Sequence, residues 1–258
     1  MEKWRGKIAV VTGASAGIGI SIVKSLVSYG VNVVGFARRV EKVEELANEL
    51  KDAAGKVYAY KCDVADQESV KAAFQWVEEQ FGGVDILVNN AGVYKFIRIL
   101  DEGDALNNDL KQIVDVNLMG VIYCTRAAFA TMKKRDYGYI VNINSIGGHF
   151  IPFPTENVPS YNIYSASKYG VTATNEVLRQ ELAVSEFGEK IRITSISPGE
   201  VKTDMVEVAG FPGTVDEYFS CIPYLLPEDI AESVIYVLST PSRANVTELM
   251  IRPTAEKV

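Results

Sequence analysis

Residues 7–30, KIAVVTGASAGIGISIVKSLVSYG, decide the fold. After its first residue the run Lys7–Thr12 is apolar and rich in β-branched side chains, which predicts a strand covered on both faces. Ile18, Ile22, Val23, Leu26 and Val27 then recur at helical spacing and mark one face of a helix, with Gly30 as its stop. Between strand and helix lies GASAGIG. Glycines there let backbone approach a phosphate, and the free N–H groups of a helix N-terminus attract negative charge. The spacing is G-x-x-x-G-x-G, not the better-known G-x-G-x-x-G. Such a turn also reads as a plain tight connection. Its strand–turn–helix context favours a nucleotide, with Gly13, Ser15, Ala16, Gly17, Ile18 and Gly19 as the contacting residues.

The same alternation continues along the chain. Strands are predicted at Lys7–Thr12, Val31–Phe36, Val57–Lys61, Val84–Asn89, Tyr139–Asn144, Ile191–Ser195 and Glu248–Arg252, separated by helical patterns that include long helices at Leu110–Asp136 and Tyr164–Phe187. Strands alternating with helices build parallel βαβ units. The expected fold is α/β, a single-domain Rossmann-type doubly wound sheet of about seven parallel strands with helices on both faces, spanning residues 1–258. Two segments break the alternation, near 147–160 and 202–227. Both follow strands, at the edge where open α/β sheets bind ligands, and both are expected to be substrate loops.

Composition narrows the function. The 258 residues are 48% hydrophobic, enough for a sizeable core without disulfides. Cys62, Cys124 and Cys221 are widely spaced and match no metal-binding pattern, so they read as free thiols and no metal is expected. The formal charge of -7 is spread without a basic stripe, which argues against nucleic acid as a partner. No leader and no apolar run of membrane-spanning length is evident, so a cytoplasmic protein without a membrane span is expected.

The second strand ends VVGFARR. A site selective for NAD places a carboxylate at this strand end to hold the ribose 2′-hydroxyl, whereas arginine suits a 2′-phosphate. Ala37 stands where the carboxylate would be, followed by Arg38 and Arg39. They read either as a solvated pair or as a phosphate site, and NADP(H) is the expected cofactor over NAD(H). Glu44 is a candidate tether for one of them, an exposed helix carboxylate being the simpler account. Asp63-Val64 and Asn90-Ala91-Gly92 end the third and fourth strands at the same edge, where they would flank adenine and ribose.

The stretch YNIYSASKYG, 161–170, places Tyr164 and Lys168 four residues apart, hence on one helix face. Tyr161 can share that face, and Tyr169 points elsewhere. A neighbouring ammonium is expected to lower the phenol pKa toward the range of a working acid/base. Alone, the pair also fits a surface tyrosine beside a solvated lysine. A strand ending Val141-Asn-Ile-Asn-Ser145 brings a hydroxyl to the same edge.

In order along the chain, TGASAGIG, NNAG, Asn117, Ser145, YSASK and Pro198-Gly199 resemble the short-chain dehydrogenase/reductase family. The resemblance covers essentially the whole chain. It implies Tyr164 as the general acid/base, Ser145 as a hydrogen-bond partner of the reacting oxygen, Lys168 as a holder of the nicotinamide ribose, and Asn117 as the holder of a water linked to that lysine. It further implies that the turn Pro198, Gly199, Val201 and Thr203 meets the nicotinamide carboxamide, and that the chain forms a homodimer or homotetramer. Softer motifs resemble the group of insect farnesol dehydrogenases and vertebrate NADP-dependent keto-steroid reductases. They imply a hydrophobic alcohol, ketone or aldehyde as substrate: an isoprenoid alcohol such as farnesol, or else a hydroxysteroid or other carbonyl. A nucleotide-binding sensor or scaffold is the non-enzymatic alternative, which the intact Ser145/Tyr164/Lys168/Asn117 set opposes.

Phe150, Phe153, Phe211, Phe219, Tyr224 and Leu225 populate the irregular segments. They are expected either to line an apolar cleft or to pack on one another or on a second subunit. His149 is expected as a polar residue near the mouth. Ser145 and Tyr164 stand nineteen residues apart, wider than the family pattern, so the intervening segment is expected to shape the substrate mouth.

Overall fold

The computed structural model describes residues 1–154 and 161–256. Residues 155–160 of the first expected substrate loop therefore lie outside the described residues. Seven strands, β1 (Ile8–Thr12), β2 (Asn32–Ala37), β3 (Val57–Lys61), β4 (Ile86–Asn89), β5 (Gly138–Ile143), β6 (Ile191–Pro198) and β7 (Glu248–Ile251), form one sheet in the order 3-2-1-4-5-6-7. Every pairing is parallel. The strand order reverses beside β1, between β1 and β4. That reversal opens the crevice where such sheets bind ligands.

Register explains why the strands read as unbroken apolar runs. Val34, Val10, Leu87, Ile140 and Ile193 form one row across the sheet, and all five face the same helical layer. Their neighbours Val33, Ala9, Ile86 and Tyr139 face the opposite layer. With a side-chain period of two, both faces need apolar residues. Each fully buried aliphatic side chain contributes about 1.5–3 kcal/mol, so a charge anywhere on these rows would be poorly tolerated.

One face carries α1 (Gly17–Ser28), through Ile22, Val23, Leu26 and Val27, and α2 (Val40–Glu49), through Val43 and Leu46. The other carries α3 (Gln67–Phe81). α3 starts on the Asp66 side chain, which accepts from Glu68 N, and stops at Gly82 in the left-handed conformation. After β4 the chain is helical from α4 (Asp104–Val114) through a π-helical turn (Asp115–Met119) into α5 (Gly120–Arg135). By length and hydropathy the run Leu106–Arg135 could cross a bilayer, contrary to the sequence expectation. Its apolar side chains Val116, Cys124, Ala128 and Met132 are instead buried against the sheet. α6 (Asn162–Ala183) follows β5 on the same side of the sheet, packing Leu178 and Leu182 there.

The segment after β6 is not the irregular loop that the sequence suggests. It holds α7 (Met205–Val208) and α8 (Val215–Phe219) before α9 (Pro227–Ser239) returns to pack beside α1. α8 is capped reciprocally: Glu217 N donates to Thr214 Oγ1 at 3.2 Å, and Thr214 N donates to the Glu217 carboxylate at 2.7 Å. The ends of the segment are pinned together, Leu225 N donating to Glu200 O at 2.8 Å and Lys202 N to Leu225 O at 2.9 Å. A small separate core of Val206, Tyr218 and Phe219, with Phe96, Phe211 and Ile222 against it, fills the space between.

Candidate active site

The carboxyl ends of the strands open into one cleft of about 600 Å³. Of the residues expected to form the site, all but Gly19 and Asn117 line it.

At one end, β1 runs into the glycine turn. Gly13 and Gly17 have φ of +66° and +49°, backbone that side chains disfavour. A Cβ on Gly13 would stand 2.9 Å from Ala91 Cα, and one on Gly19 would stand 2.2 Å from Gly13 O. Gly19 thus closes the turn from behind. The exit of β4 is locked to the turn: Thr12 Oγ1 accepts from Asn90 N and Ala91 N, both at 3.0 Å, while Asn90 Nδ2 donates to Thr12 O at 2.9 Å. α1 begins at Ala16, which has no side chain able to cap it. First-turn N–H groups without a side-chain cap, in a cradle that any Cβ would fill, fit a phosphate. Arg38 and Arg39 stand exposed at the end of β2, and neither has an ion-pair partner among the described residues. Glu44 tethers neither of them. One Asp63 carboxylate oxygen is held by Ala65 N at 3.1 Å, fixing the exit of β3.

At the other end, α6 presents Tyr164 and Lys168 to the exit of β5. Asn162 sets its start. Its φ is +38°, its side-chain oxygen accepts from Tyr164 N at 2.9 Å, and its Nδ2 donates to Lys95 O and Ile97 O, each at 2.9 Å. One side chain therefore bonds the first turn of the helix and ties it to the segment after β4. Lys168 is buried and donates from Nζ to Ile143 O at 3.0 Å. Burial lowers its pKa to about 8. Its Nζ lies 5.7 Å from the centre of the Tyr164 ring.

Tyr164 departs from expectation. Burial pushes its phenol up to about 12; a Ser145 hydrogen bond pulls it down, and the charge of Glu200 raises it again. The ammonium does not set the balance, because Lys168 is itself turned to a backbone carbonyl. Ser145 Oγ also accepts from Gly147 N at 3.0 Å, which fixes the hydroxyl at the strand end.

Asn117, in the π-helical turn, stands behind the lining. Its Oδ1 accepts from Val93 N at 2.8 Å, and its Nδ2 donates to Val93 O at 2.9 Å and Ser167 Oγ at 3.3 Å. Pro198, Gly199, Val201 and Thr203 form the facing wall. A Cβ on Gly17 would lie 3.1 Å from Thr203 Cγ2, so the two ends of the cleft meet there.

Of the two expectations for the aromatic residues of the irregular segments, packing on one another holds for Phe211, Phe219 and Tyr224, and the apolar wall is built from other residues. Phe150, Phe153, Phe211, Phe219, Tyr224 and Leu225 do not line the cleft: Phe153 is 90% exposed, Phe150 lies under Arg252, and Phe211 and Phe219 pack against Tyr218 in the small core. Tyr94, Tyr161, Val206 and Tyr218 take their place. His149 turns away from the mouth. Its Nε2 lies 3.0 Å from Ser197 Oγ, and Ser197 donates to Glu248 at 2.6 Å, so the ring braces β6 and β7.

A glycine cradle for phosphate and a cluster of half-buried Tyr164 with buried Ser145 and Lys168 in one cleft define a dinucleotide-dependent oxidoreductase. A sequence model described as short chain dehydrogenase matches residues 7–210. The chain is 46% identical over 263 aligned residues to a farnesol dehydrogenase of Aedes aegypti, covering 100% of both. It is 43% identical to Dehydrogenase/reductase SDR family member 11 of Mus musculus, covering 99% of this chain and 97% of that one. The X-ray structure of an alcohol dehydrogenase from the archaeon Thermococcus sibiricus complexed with 5-hydroxy-NADP superposes with a TM-score of 0.81 at 29% identity, over 98% of each chain. The chain belongs to the short-chain dehydrogenase/reductase family, and it is an NAD(P)-dependent alcohol dehydrogenase/reductase.

Proposed function

We propose that the chain exchanges hydride between NADP(H) and a hydrophobic alcohol/carbonyl pair, with an isoprenoid alcohol such as farnesol as the favoured substrate. The convergence of Ser145, Tyr164 and Lys168 with the glycine cradle in one cleft carries the proposal. Arg38 and Arg39, free of ion pairs at the β2 exit, support the 2′-phosphate. The nicotinamide, when bound, supplies or accepts the hydride.

The chain's own residues handle position and protons. Tyr164, protonated through the neutral range, gives its proton to the carbonyl oxygen, and in reverse it takes the proton of the alcohol. Ser145 holds the same oxygen. Lys168 lies one helical turn along and holds ribose hydroxyls. The turn from Pro198 to Thr203, with Gly199 and Val201, bounds the nicotinamide end. Asn117, its amide already bonded to Val93 and Ser167, acts as a positioning residue that ties α6 to the β4 exit.

The cleft lining supports an apolar substrate, with Tyr94 beside Tyr164 and Tyr218, Met205, Val206 and Val208 among the lining side chains. Tyr169 and Val177 on α6 and Val184 just past its end stay 41%, 52% and 89% exposed, which supports a homodimer or homotetramer built on that helix. The test is a panel of isoprenoid alcohols and aldehydes, steroids and small carbonyls with both nicotinamide cofactors. Turnover of isoprenoids with the phosphorylated cofactor is expected. Absence of turnover across the panel would overturn the proposal in favour of a nucleotide-binding sensor.

A further inference from the structure

Glu200 is a carboxyl that the proton chemistry does not use. It follows Pro198-Gly199 at the exit of β6 and lines the cleft. Its backbone is held on both sides: Gly199 N donates to Ile251 O at 2.7 Å, and Glu200 O accepts from Leu225 N at 2.8 Å. The side chain cannot drift far. Its Oε1 accepts from the Tyr161 hydroxyl at 2.7 Å. Among the described residues no cation is paired with it, and the nearby Lys202 is paired with Asp216 at 2.6 Å.

Phenols gather at this carboxyl: Tyr161 bonds it, and the Tyr94 ring lies 6.4 Å from that of Tyr161 between centres. Burial first, and the charge of Glu200 after it, hold Tyr94, Tyr161 and Tyr218 above the ordinary phenol value. Burial likewise raises Glu200 itself, against the Tyr161 hydrogen bond. A carboxylate offers about four acceptor positions, and Tyr161 fills one. The carboxyl is half-buried and keeps acceptor capacity toward the cleft, where a leucine would serve if the cleft only had to hold hydrocarbon.

We propose that Glu200 is a specificity-determining residue: it receives a hydrogen-bond donor, a hydroxyl or an ammonium, carried by the substrate away from the carbon that exchanges hydride. This rests on the proposed hydride exchange beside Tyr164. It refines the substrate class from a plain hydrophobic alcohol to one bearing a second donor. The ring faces of Tyr94, Tyr161 and Tyr218 would add attraction for an ammonium.

Three substrates of equal chain length test it over a series of lengths: an unbranched primary alcohol, the diol with a second hydroxyl at its far end, and the amino alcohol with an ammonium there. At the best length the wild type is expected to show kcat/KM about tenfold or more above the plain alcohol for the diol or the amino alcohol, beyond the twofold owed to a diol's two ends. The arm that gains more identifies the donor. In Glu200→Gln the preference falls to a few-fold, and in Glu200→Leu it vanishes, with NADPH affinity reporting that each variant is folded. Titration calorimetry on NADP⁺-loaded Tyr164→Phe reads the same preference as binding, without turnover. Equal kcat/KM for all three alcohols in the wild type, or a preference that survives Glu200→Leu, overturns the assignment while leaving the oxidoreductase reading intact. No turnover of them and no calorimetric preference among them overturns the assignment, and only silence across the isoprenoid, steroid and carbonyl panel as well overturns the oxidoreductase reading.

Discussion

The two ends of the cleft are built on different principles. The glycine-turn end is an extension of the sheet: Thr12, Asn90 and Ala91 lock strand exits to one another through hydrogen bonds of 2.9–3.0 Å, and glycines at 13, 17 and 19 leave no room for side chains. The far end is an appendage. Its wall rests on α7, α8 and a small core of aromatic rings separate from the two main ones, joined to the sheet through the paired backbone of Val201 and Leu225. On the proposed reading, the contrast puts cofactor binding at the rigid sheet edge, and choice among substrates in a part that can be repacked without disturbing it.

Changes at the rigid end should therefore be the more damaging. Gly19→Val forces atoms against the Gly13 carbonyl and Asn90, so NADPH affinity is expected to fall by at least about a hundredfold together with a lowered Tm, read by fluorescence titration and thermal melting. A variant that binds NADPH normally would show that the turn tolerates what its geometry forbids.

The seam between the ends is tested by pH. Tyr164 is held protonated by burial, so oxidation, which needs the phenolate, is expected to rise about tenfold per pH unit below the apparent pKa. Reduction, which uses the phenol, should stay flat through neutrality and fall only in alkali. Measured profiles of kcat/KM in both directions check the sign; an oxidation rate independent of pH would contradict it.

Arg38→Ala removes one charged partner at the rigid end without touching the turn. About tenfold weaker NADPH binding is expected, with NADH changed by less than about twofold. Equal losses would remove the 2′-phosphate assignment. The smallest effect belongs to the appended end: Tyr218→Leu should raise KM for the alcohol by a few-fold and leave NADPH affinity alone. A large loss of NADPH affinity there would mean that the two ends are not independent.

The rigid end was also the legible one. Strands buried on both faces have to be apolar throughout, so β1, β2, β4 and β5 stand out as runs, and the turn between β1 and α1 reads from its glycine spacing. Tyr164 and Lys168 are legible because they are local to one helix. Tyr94 and Tyr218 are not: they reach the cleft from segments far apart in sequence, each without periodicity. Two signals were present but weak. Thr214-Val-Asp-Glu217 is a capping box that announces α8, and Asn162, just ahead of Tyr164, is a residue type that caps helices. The sign of the tyrosine shift depends on burial in the assembled cleft, which spacing cannot convey.

The central claim is that hydride and proton meet at Tyr164, and deuteride transfer tests it most directly. NADPH deuterated on the transferring carbon, incubated with an isoprenoid aldehyde, should place deuterium on the carbinol carbon with the wild type. With Tyr164→Phe, transfer should fall by about a thousandfold while the affinity for NADPH stays near the wild-type value. Transfer by Tyr164→Phe at the wild-type rate would contradict the account.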